Sequence, residues 1–125
     1  KLAFDGLLIQ QSSSPSAARE AFLIIGRTMS AAGFTTLPIH HTIPSFGDWG
    51  WWIAGHQERY GKKGLQERIN SGQLPDNTTR YLTRDLIRSS LYFGKGSLKT
   101  DKQDINSILD DRIFRYYQKA WEALQ

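Results

Sequence analysis

Short apolar runs alternate with turn-forming residues along the first third of the chain. Residues 6–11, GLLIQQ, form an apolar run that ends in two polar residues, which predicts a buried β-strand. Ser14 and Pro15 suit the cap and the first turn of a helix over residues 15–32, and Gly33 suits its end. The apolar positions of this helix recur every three or four residues, at Ala18, Phe22, Ile25, Met29 and Ala32. The pattern therefore predicts a strand followed by an amphipathic helix.

Two further strands follow, joined as a hairpin. Residues 34–44, FTTLPIHHTIP, are rich in β-branched side chains, and Pro38 restricts this strand to a position that donates no ladder hydrogen bond, such as a sheet edge. Residues 50–55, GWWIAG, predict the next strand, and residues 45–48, SFGD, predict the turn between them. Because a helix links the first strand to this antiparallel hairpin, we expect the first strand to run parallel to one of the hairpin strands.

The second half of the chain is more polar and helical. Thr83 predicts the start of a helix after the turn-rich residues 71–79, and a final helix is expected to begin near Asp110. The apolar side of that last helix comprises Ile113, Tyr117, Ala120, Trp121 and Leu124. We interpret residues 1–57 as the strands and helix of an α/β domain, and residues 58–125 as the helical tail of the same domain.

The aromatic stretch IPSFGDWGWW, residues 43–52, places three tryptophans within four positions, beside two glycines. Strand alternation puts Trp49 and Trp51 on one face of the sheet and Trp52 on the other, so we expect both faces to be covered. The glycines permit a turn, a bulge or the close approach of a ligand. Packing in a core is the commoner role of such aromatic side chains, and the wall of a binding pocket is the alternative.

Composition excludes several classes of protein and site. The 125 residues suit one domain, and the net charge of +4 is dispersed, so we expect no nucleic-acid partner. Without cysteine, the chain has no disulfide, thiolate zinc site or thiol nucleophile. His40 and His41 are neighbours in a predicted strand and face opposite sides, so no metal site is expected. No apolar run approaches the ~18 residues that a membrane helix needs, so this segment is expected to be soluble.

Three segments in order resemble the C-terminal part of the spermidine synthase-like aminopropyltransferases. GLLIQQSSSP is similar to the fifth Rossmann strand of that family, which ends in a glutamine and a polar loop. TIPSFGDWGW resembles the family's Ile-Pro-Thr-Tyr…Gly-Phe hairpin, and RYLTRDLIRSSLYFGKG resembles its later helical segment. The likeness extends over about residues 5–95. The Ser-Phe-Gly-acidic-Trp-Gly form looks most like the long bacterial members, which carry an N-terminal membrane region.

This resemblance implies that the chain is part of a longer protein, here called the parent, with a class I methyltransferase-like, Rossmann-type fold. The resemblance also implies that the parent moves an aminopropyl group from decarboxylated S-adenosylmethionine to a polyamine. It implies that the substrate-binding residues of this segment are Gln10, Ser45, Phe46, Asp48 and Trp49. Phe46 stands where the family usually has tyrosine, so a hydroxyl that could bond an amine is missing. Asp48 does not match the catalytic aspartate of the family, and it either faces an amine or caps the turn.

The resemblance also implies what lies elsewhere in the parent. The family's glycine-rich strand, ribose-binding acid and catalytic aspartate precede the fifth strand, so we expect no catalytic, cofactor-binding or metal-binding residue in this segment, and no activity from it alone. The parent would lie on the cytoplasmic face of the bacterial inner membrane, attached only through its preceding region. The segment itself is expected to form homo-oligomers through the exposed edge of residues 6–11.

Two other functions remain open from the sequence. One is a methyltransferase-like relative that uses ordinary S-adenosylmethionine, because both enzyme classes share this type of sheet. The other is a non-catalytic binding or assembly module whose aromatic hairpin mediates self-association. A glycine-rich strand turn and an aspartate-rich loop before residue 1 would favour the transferase over the module.

Overall fold

One small sheet flanked by helices forms the fold in the computed structural model, which describes residues 1–72 and 79–125. Within these residues the elements are β1 (Leu7–Gln11), α1 (Arg19–Ala31), β2 (Phe34–Ile43), β3 (Gly47–His56), α2 (Lys62–Ser71), α3 (Arg84–Ser89) and α4 (Arg112–Leu124). Most of the predicted turn-rich stretch 71–79 lies outside the described residues. None of the described helices is both long and apolar enough to cross a bilayer.

The sheet has the strand order β1-β3-β2, and both outer strands are antiparallel to β3. β1 and β2 therefore run in the same direction with β3 between them. The predicted antiparallel hairpin and the predicted direction of the first strand are both confirmed. The α/β fold class, with an antiparallel hairpin followed by a helical tail, is confirmed as well.

β2 is an edge strand, as its proline predicts. The backbone N–H of His40 points away from β3 and donates to the carbonyl oxygen of Ser90 at 3.0 Å. The nitrogen of Pro38, two residues earlier in the strand, faces this same outer edge, where no ladder bond is needed. The sheet therefore loses nothing by having proline at this position.

α1 begins later than the sequence predicts, at Arg19 rather than at residue 15. Residues 15–18 form turns, in which the N–H of Ala17 donates to the Ser14 hydroxyl oxygen at 3.0 Å. Ser14 thus caps a turn that leads into the helix and not the helix itself. Gly33, with φ of +97°, follows the end of α1 as expected, because glycine adopts this conformation without strain.

The hairpin connection is also displaced from its predicted position. The turn consists of residues 44–46, closed by a hydrogen bond from the N–H of Phe46 to the carbonyl of Ile43. β3 starts at Gly47, whose φ of +81° suits glycine. Asp48 and Trp49 therefore belong to the strand, and the predicted turn over residues 45–48 starts one residue too late and ends two residues too late.

Trp52 packs α1 onto the central strand of the sheet. Its ring stacks on Phe22 with 5.0 Å between ring centroids, and its indole N–H donates to the carbonyl oxygen of Phe22 at 2.8 Å. Both side chains are buried. Burial of each contributes about 1.5–3 kcal/mol. The packing interpretation of the aromatic stretch is thus correct for Trp52.

The tail helices cover different parts of this core. α2 places Leu65 against Leu37 and Tyr60 on the side of the sheet opposite α1. α4 packs on α1, where the Arg27 guanidinium donates to Asp104 in the segment before α4. The predicted apolar side of α4 is only partly correct, because Trp121 and Leu124 are each 64% exposed.

Candidate functional site

β1 and β2 end, and β3 starts, at the same end of the sheet. This end of the strands is here called the carboxyl edge. The N–H of Ser12 donates to the carbonyl of Gly50 at 2.9 Å, and the N–H of Gly50 donates to the carbonyl of Ser13. At the end of β2, Thr42 is paired with Asp48. Ligands of open α/β sheets bind beside the carboxyl ends of strands, so a binding site is expected at this edge.

Asp48 forms a hydrogen bond with His40 at the carboxyl edge. The carboxylate oxygen Oδ1 lies 2.7 Å from Nδ1 of the imidazole, and both side chains are about three-quarters buried. The other ring nitrogen of His40 lies 2.5 Å from the backbone carbonyl oxygen of Tyr92. Asp48 has no hydrogen bond to the turn backbone among the described residues, so it does not cap the turn.

A cleft of about 250 Å³ opens beside Asp48 and His40, here called the Asp48 cleft. It is lined by Pro15, Ser16, Arg19, His40, Asp48, Phe93 and Ser97. Asp48 supplies an acceptor for an ammonium group, whereas the guanidinium of Arg19 repels one. An amine in this cleft would therefore approach from the Asp48 side, away from the start of α1.

The hairpin tip carries three of the predicted substrate-binding residues. Ser45, with φ of +75°, and Phe46, which is 74% exposed, lie in the turn. The Phe46 ring meets the half-buried indole of Trp49 edge-on, with 6.4 Å between centroids. The indole N–H of Trp49 is buried and has no hydrogen-bond partner in the described part of the chain. The structure thus brings Ser45, Phe46 and Trp49 together at the hairpin tip, whereas Asp48 points to the face of β3 opposite Trp49.

Gln10 lies apart from this group. It pairs with Trp52 across β1 and β3, so it shares the sheet face of Asp48. Trp52 follows Asp48 by four positions in β3, which corresponds to ~13 Å. The side-chain amide of Gln10 donates to the carbonyl of Gln11 at 3.0 Å. Gln10 therefore makes no contact with the hairpin group.

His40 is the site residue that the sequence does not reveal. As one of two adjacent histidines it suggests only a metal ligand, and the described residues hold no group of three metal-binding side chains. The feature of the sequence that could reveal His40 is the alternation of side chains between the two faces of the hairpin. His40 pairs with Gly50, so it faces the same side of the sheet as Asp48, two residues away. His41 faces the other side, where its ring bonds the Tyr81 hydroxyl at 2.9 Å.

A larger cavity of about 640 Å³ lies on the opposite sheet face, here called the apolar groove. Ile9, Trp51 and Ile53 form its floor, and side chains of α3 and the preceding segment form its walls, notably Leu86 and Ile87. Its lining is almost entirely apolar. The groove gives no anchor for a charged amine, so the Asp48 cleft is the better candidate for a polar substrate.

Shifted pKa values occur at the contact between α1 and α4. Burial alone raises the pKa of Asp104, but hydrogen bonds from Tyr116 and Arg112 outweigh it and hold this pKa below the ordinary value. Burial and the bond to Asp104 raise the pKa of Tyr116 to about 12. These groups hold α4 against α1, and they lie outside the candidate site.

The chain is similar in sequence to bacterial proteins, although no family model matches it. It is 33% identical over 123 residues to the polyamine aminopropyltransferase of Shewanella oneidensis, covering 97% of this chain and 21% of that protein. It is 31% identical over 121 residues to the enzyme of the same name from Oceanobacillus iheyensis, covering 94% of this chain and 22% of the relative. The relative in Leptospira interrogans, also named polyamine aminopropyltransferase, is 30% identical over 115 residues, with 91% and 21% covered. The chain thus spans about one fifth of the length of these relatives.

Proposed function

The chain belongs to the polyamine aminopropyltransferase family, of which it forms a C-terminal part, and we propose that it supplies the amine-binding side of such an enzyme. The complete protein would transfer an aminopropyl group from decarboxylated S-adenosylmethionine to a diamine or polyamine. The observation that carries this proposal is the 33% identity that extends over 97% of the chain. The amine would enter at the carboxyl edge.

The proposed reaction is a direct displacement. The lone pair of the amine nitrogen forms a C–N bond with the methylene carbon beside the sulfonium, the C–S bond breaks, and the thioether leaves with that electron pair. The amine proton passes to a base or to water. The rate depends on holding a deprotonated amine in line with the C–S bond, so the task of this segment is orientation.

The predicted substrate-binding residues would share this task. The Asp48 carboxylate would accept a hydrogen bond from the distal ammonium of the polyamine and hold the chain in register. Phe46 and Trp49, which lie outside the Asp48 cleft, would pack on methylene groups that extend past the hairpin tip and would attract positive charge there. Ser45 and Gln10 would bind as polar groups at the ends of the site, although Gln10 must first release the carbonyl of Gln11.

The parent sheet would be a larger Rossmann-type sheet. The outer edge of β1 has no strand partner in the described part of the chain, and apolar side chains point to both of its faces, with Leu8 39% and Ile9 59% exposed. Such two-sided apolar strands belong to the interior of a covered sheet, which supports further strands beyond β1 in the parent. Residues 1–57 and 58–125 would then be parts of the same domain.

The catalytic and co-substrate-binding residues would lie in the preceding part of the parent, so the 125-residue chain alone should not catalyse transfer. By the resemblance to the long bacterial members, that preceding part would also carry the membrane region and place the parent at the cytoplasmic face of the inner membrane. This segment would be a soluble, self-associating portion. Product formation by the purified chain with decarboxylated S-adenosylmethionine and putrescine would contradict the placement of the catalytic residues in the preceding part.

The decisive test is aminopropyl transfer by the complete protein, measured with putrescine and with spermidine. Asp48→Asn should raise the KM for the amine roughly tenfold or more, as expected for one lost charge-assisted hydrogen bond. The matched control is Asp101→Asn, which changes an exposed carboxylate outside the cleft and should leave KM within about twofold.

Other outcomes identify the alternative functions. Methyl transfer from ordinary S-adenosylmethionine, without aminopropyl transfer, would favour the methyltransferase-like relative. Neither activity in the complete protein would favour a binding or assembly module. The exposed edge of β1 and the apolar groove are the features that such a module would use.

A further inference from the structure

Both ring nitrogens of His40 face hydrogen-bond acceptors. Nδ1 lies 2.7 Å from a carboxylate oxygen of Asp48, and Nε2 lies 2.5 Å from the carbonyl oxygen of Tyr92. A neutral imidazole carries one N–H, so either neutral tautomer would place a nitrogen lone pair against an oxygen. Only the doubly protonated ring donates both hydrogen bonds.

His40 also holds the segment that follows α3. Its backbone N–H donates to the carbonyl of Ser90 at 3.0 Å, and its ring stacks on Phe93 with 4.0 Å between centroids. Together with the bond to the Tyr92 carbonyl, one residue therefore fixes residues 90–93 to the edge of β2 at three points. We call these residues the latched segment.

The Asp48 cleft lies between the elements that His40 joins. Asp48 comes from β3, while Phe93 and Ser97 come from the latched segment and the turn after it. If the ring released the Tyr92 carbonyl, the wall that contains Phe93 would lose its side-chain anchor. If it released Asp48, the carboxylate would be free to rotate away from the cleft.

We propose that His40 is a positioning residue whose doubly protonated ring orients the Asp48 carboxylate and latches residues 90–93 as a wall of the amine cleft. This inference rests on the proposed function for its substrate, but the latch itself does not require that function. His40 would act only through Asp48 and the latched segment, without touching the reacting atoms.

The charged groups around the ring come from two elements. Asp48 of β3 bonds the ring, and Arg19 at the start of α1 lines the same cleft. The latched segment and Ser97 contribute no charged side chain to the cleft lining.

The test compares His40 variants of the complete protein with His41→Ala, in which the neighbouring histidine on the opposite sheet face is removed. His40→Ala should raise the KM for the amine roughly tenfold or more with a smaller change in kcat. It should also speed tryptic cleavage after Lys95, which follows the latched segment. His41→Ala should change neither quantity by more than about twofold.

Two amide variants separate the two hydrogen bonds. The Asn side-chain amide can take the place of Nδ1, so His40→Asn should recover much of the KM but not the resistance to cleavage. The Gln amide can reach the place of Nε2, so His40→Gln should recover the resistance to cleavage but not the KM.

Failure of this inference is distinguishable from failure of the proposed function. If the unaltered protein transfers no aminopropyl group, the proposed function fails, and the cleavage rates still test the latch. If the protein is active and His40→Ala matches it in KM or in cleavage rate, the positioning role is overturned.

Discussion

Gly26 lies directly beneath the indole ring of Trp52, and this contact explains why a helix interior carries glycine. A Cβ at this position would come within 2.3 Å of the ring. We expect Gly26→Ala to lower the free energy of unfolding, because overpacking costs about 1–3 kcal/mol and the better helix propensity of alanine returns only about 1 kcal/mol. Urea unfolding followed by circular dichroism measures the change.

Gly64 provides the matched control for that substitution. It also lies in a helix, α2, but a Cβ there meets no atom within 4 Å. Gly64→Ala should therefore stabilise the chain by up to about 1 kcal/mol through propensity alone. Equal effects of the two substitutions would mean that the close contact with Trp52 does not limit position 26.

The alternation of side chains along a strand accounts for the part of the site that the sequence predicts. The alternation of Trp49, Trp51 and Trp52 between the two faces follows from the period of a strand and is confirmed by the register. The partnership of Asp48 with His40 depends on the length of the turn, which the sequence misplaces by one residue at its start and two at its end. The bond from His40 to Tyr92 joins residues 52 positions apart, so no local pattern could predict it.

At the scale of elements, α4 is held on α1 by hydrogen bonds to one carboxylate. Asp104 accepts a bond from the Tyr116 hydroxyl at 2.7 Å and pairs with Arg27 at 3.1 Å, and its side chain is 17% exposed. The pKa of Asp104 is below its ordinary value in the folded chain. Stability from this group is therefore complete above the unfolded pKa of about 3.9 and is lost as the pH falls through the folded pKa.

This linkage predicts that α4 loosens in acid. Tyr116→Phe should lower the free energy of unfolding at neutral pH by about 1–3 kcal/mol, because one hydrogen bond to a charged group is lost. The loss should shrink below about pH 4, as Asp104 becomes protonated. Urea unfolding at several pH values measures both effects, with Tyr117→Phe as the neighbouring control. An effect of Tyr116→Phe that is constant down to about pH 2 would contradict the role of Asp104.

Element boundaries depend on contacts that local patterns do not contain. The Thr83 cap is confirmed, because its hydroxyl oxygen accepts a bond from the N–H of Leu86 at 3.1 Å. Thr100 and Gln103 have the spacing of a capping box, which predicts a helix, yet none forms there. The Thr100 hydroxyl instead donates to a carboxylate oxygen of Glu20 at 2.7 Å. A contact between residues 80 positions apart thus replaces the local one.

At the scale of the whole molecule, the described sheet has one unprotected edge. β1 lies at the end of the strand order β1-β3-β2, and all five of its residues are exposed. Natural sheets protect such edges with charges, proline or a covering element, and β1 offers only two terminal glutamines. Ile9 of β1 also lines the apolar groove, so the open edge and the exposed apolar face form one continuous surface.

This surface predicts that the isolated chain self-associates through β1. Pairing of two β1 strands would satisfy their free backbone groups and remove Ile9, which is 59% exposed, from water. Light scattering at micromolar concentration should report a dimer or a larger species. Ile9→Lys should shift the chain towards monomer, because charge on an edge strand opposes pairing. Ile108→Lys, at a fully exposed position away from the sheet, should not. A monomeric unaltered chain, or equal effects of both substitutions, would show that β1 is not the associating edge.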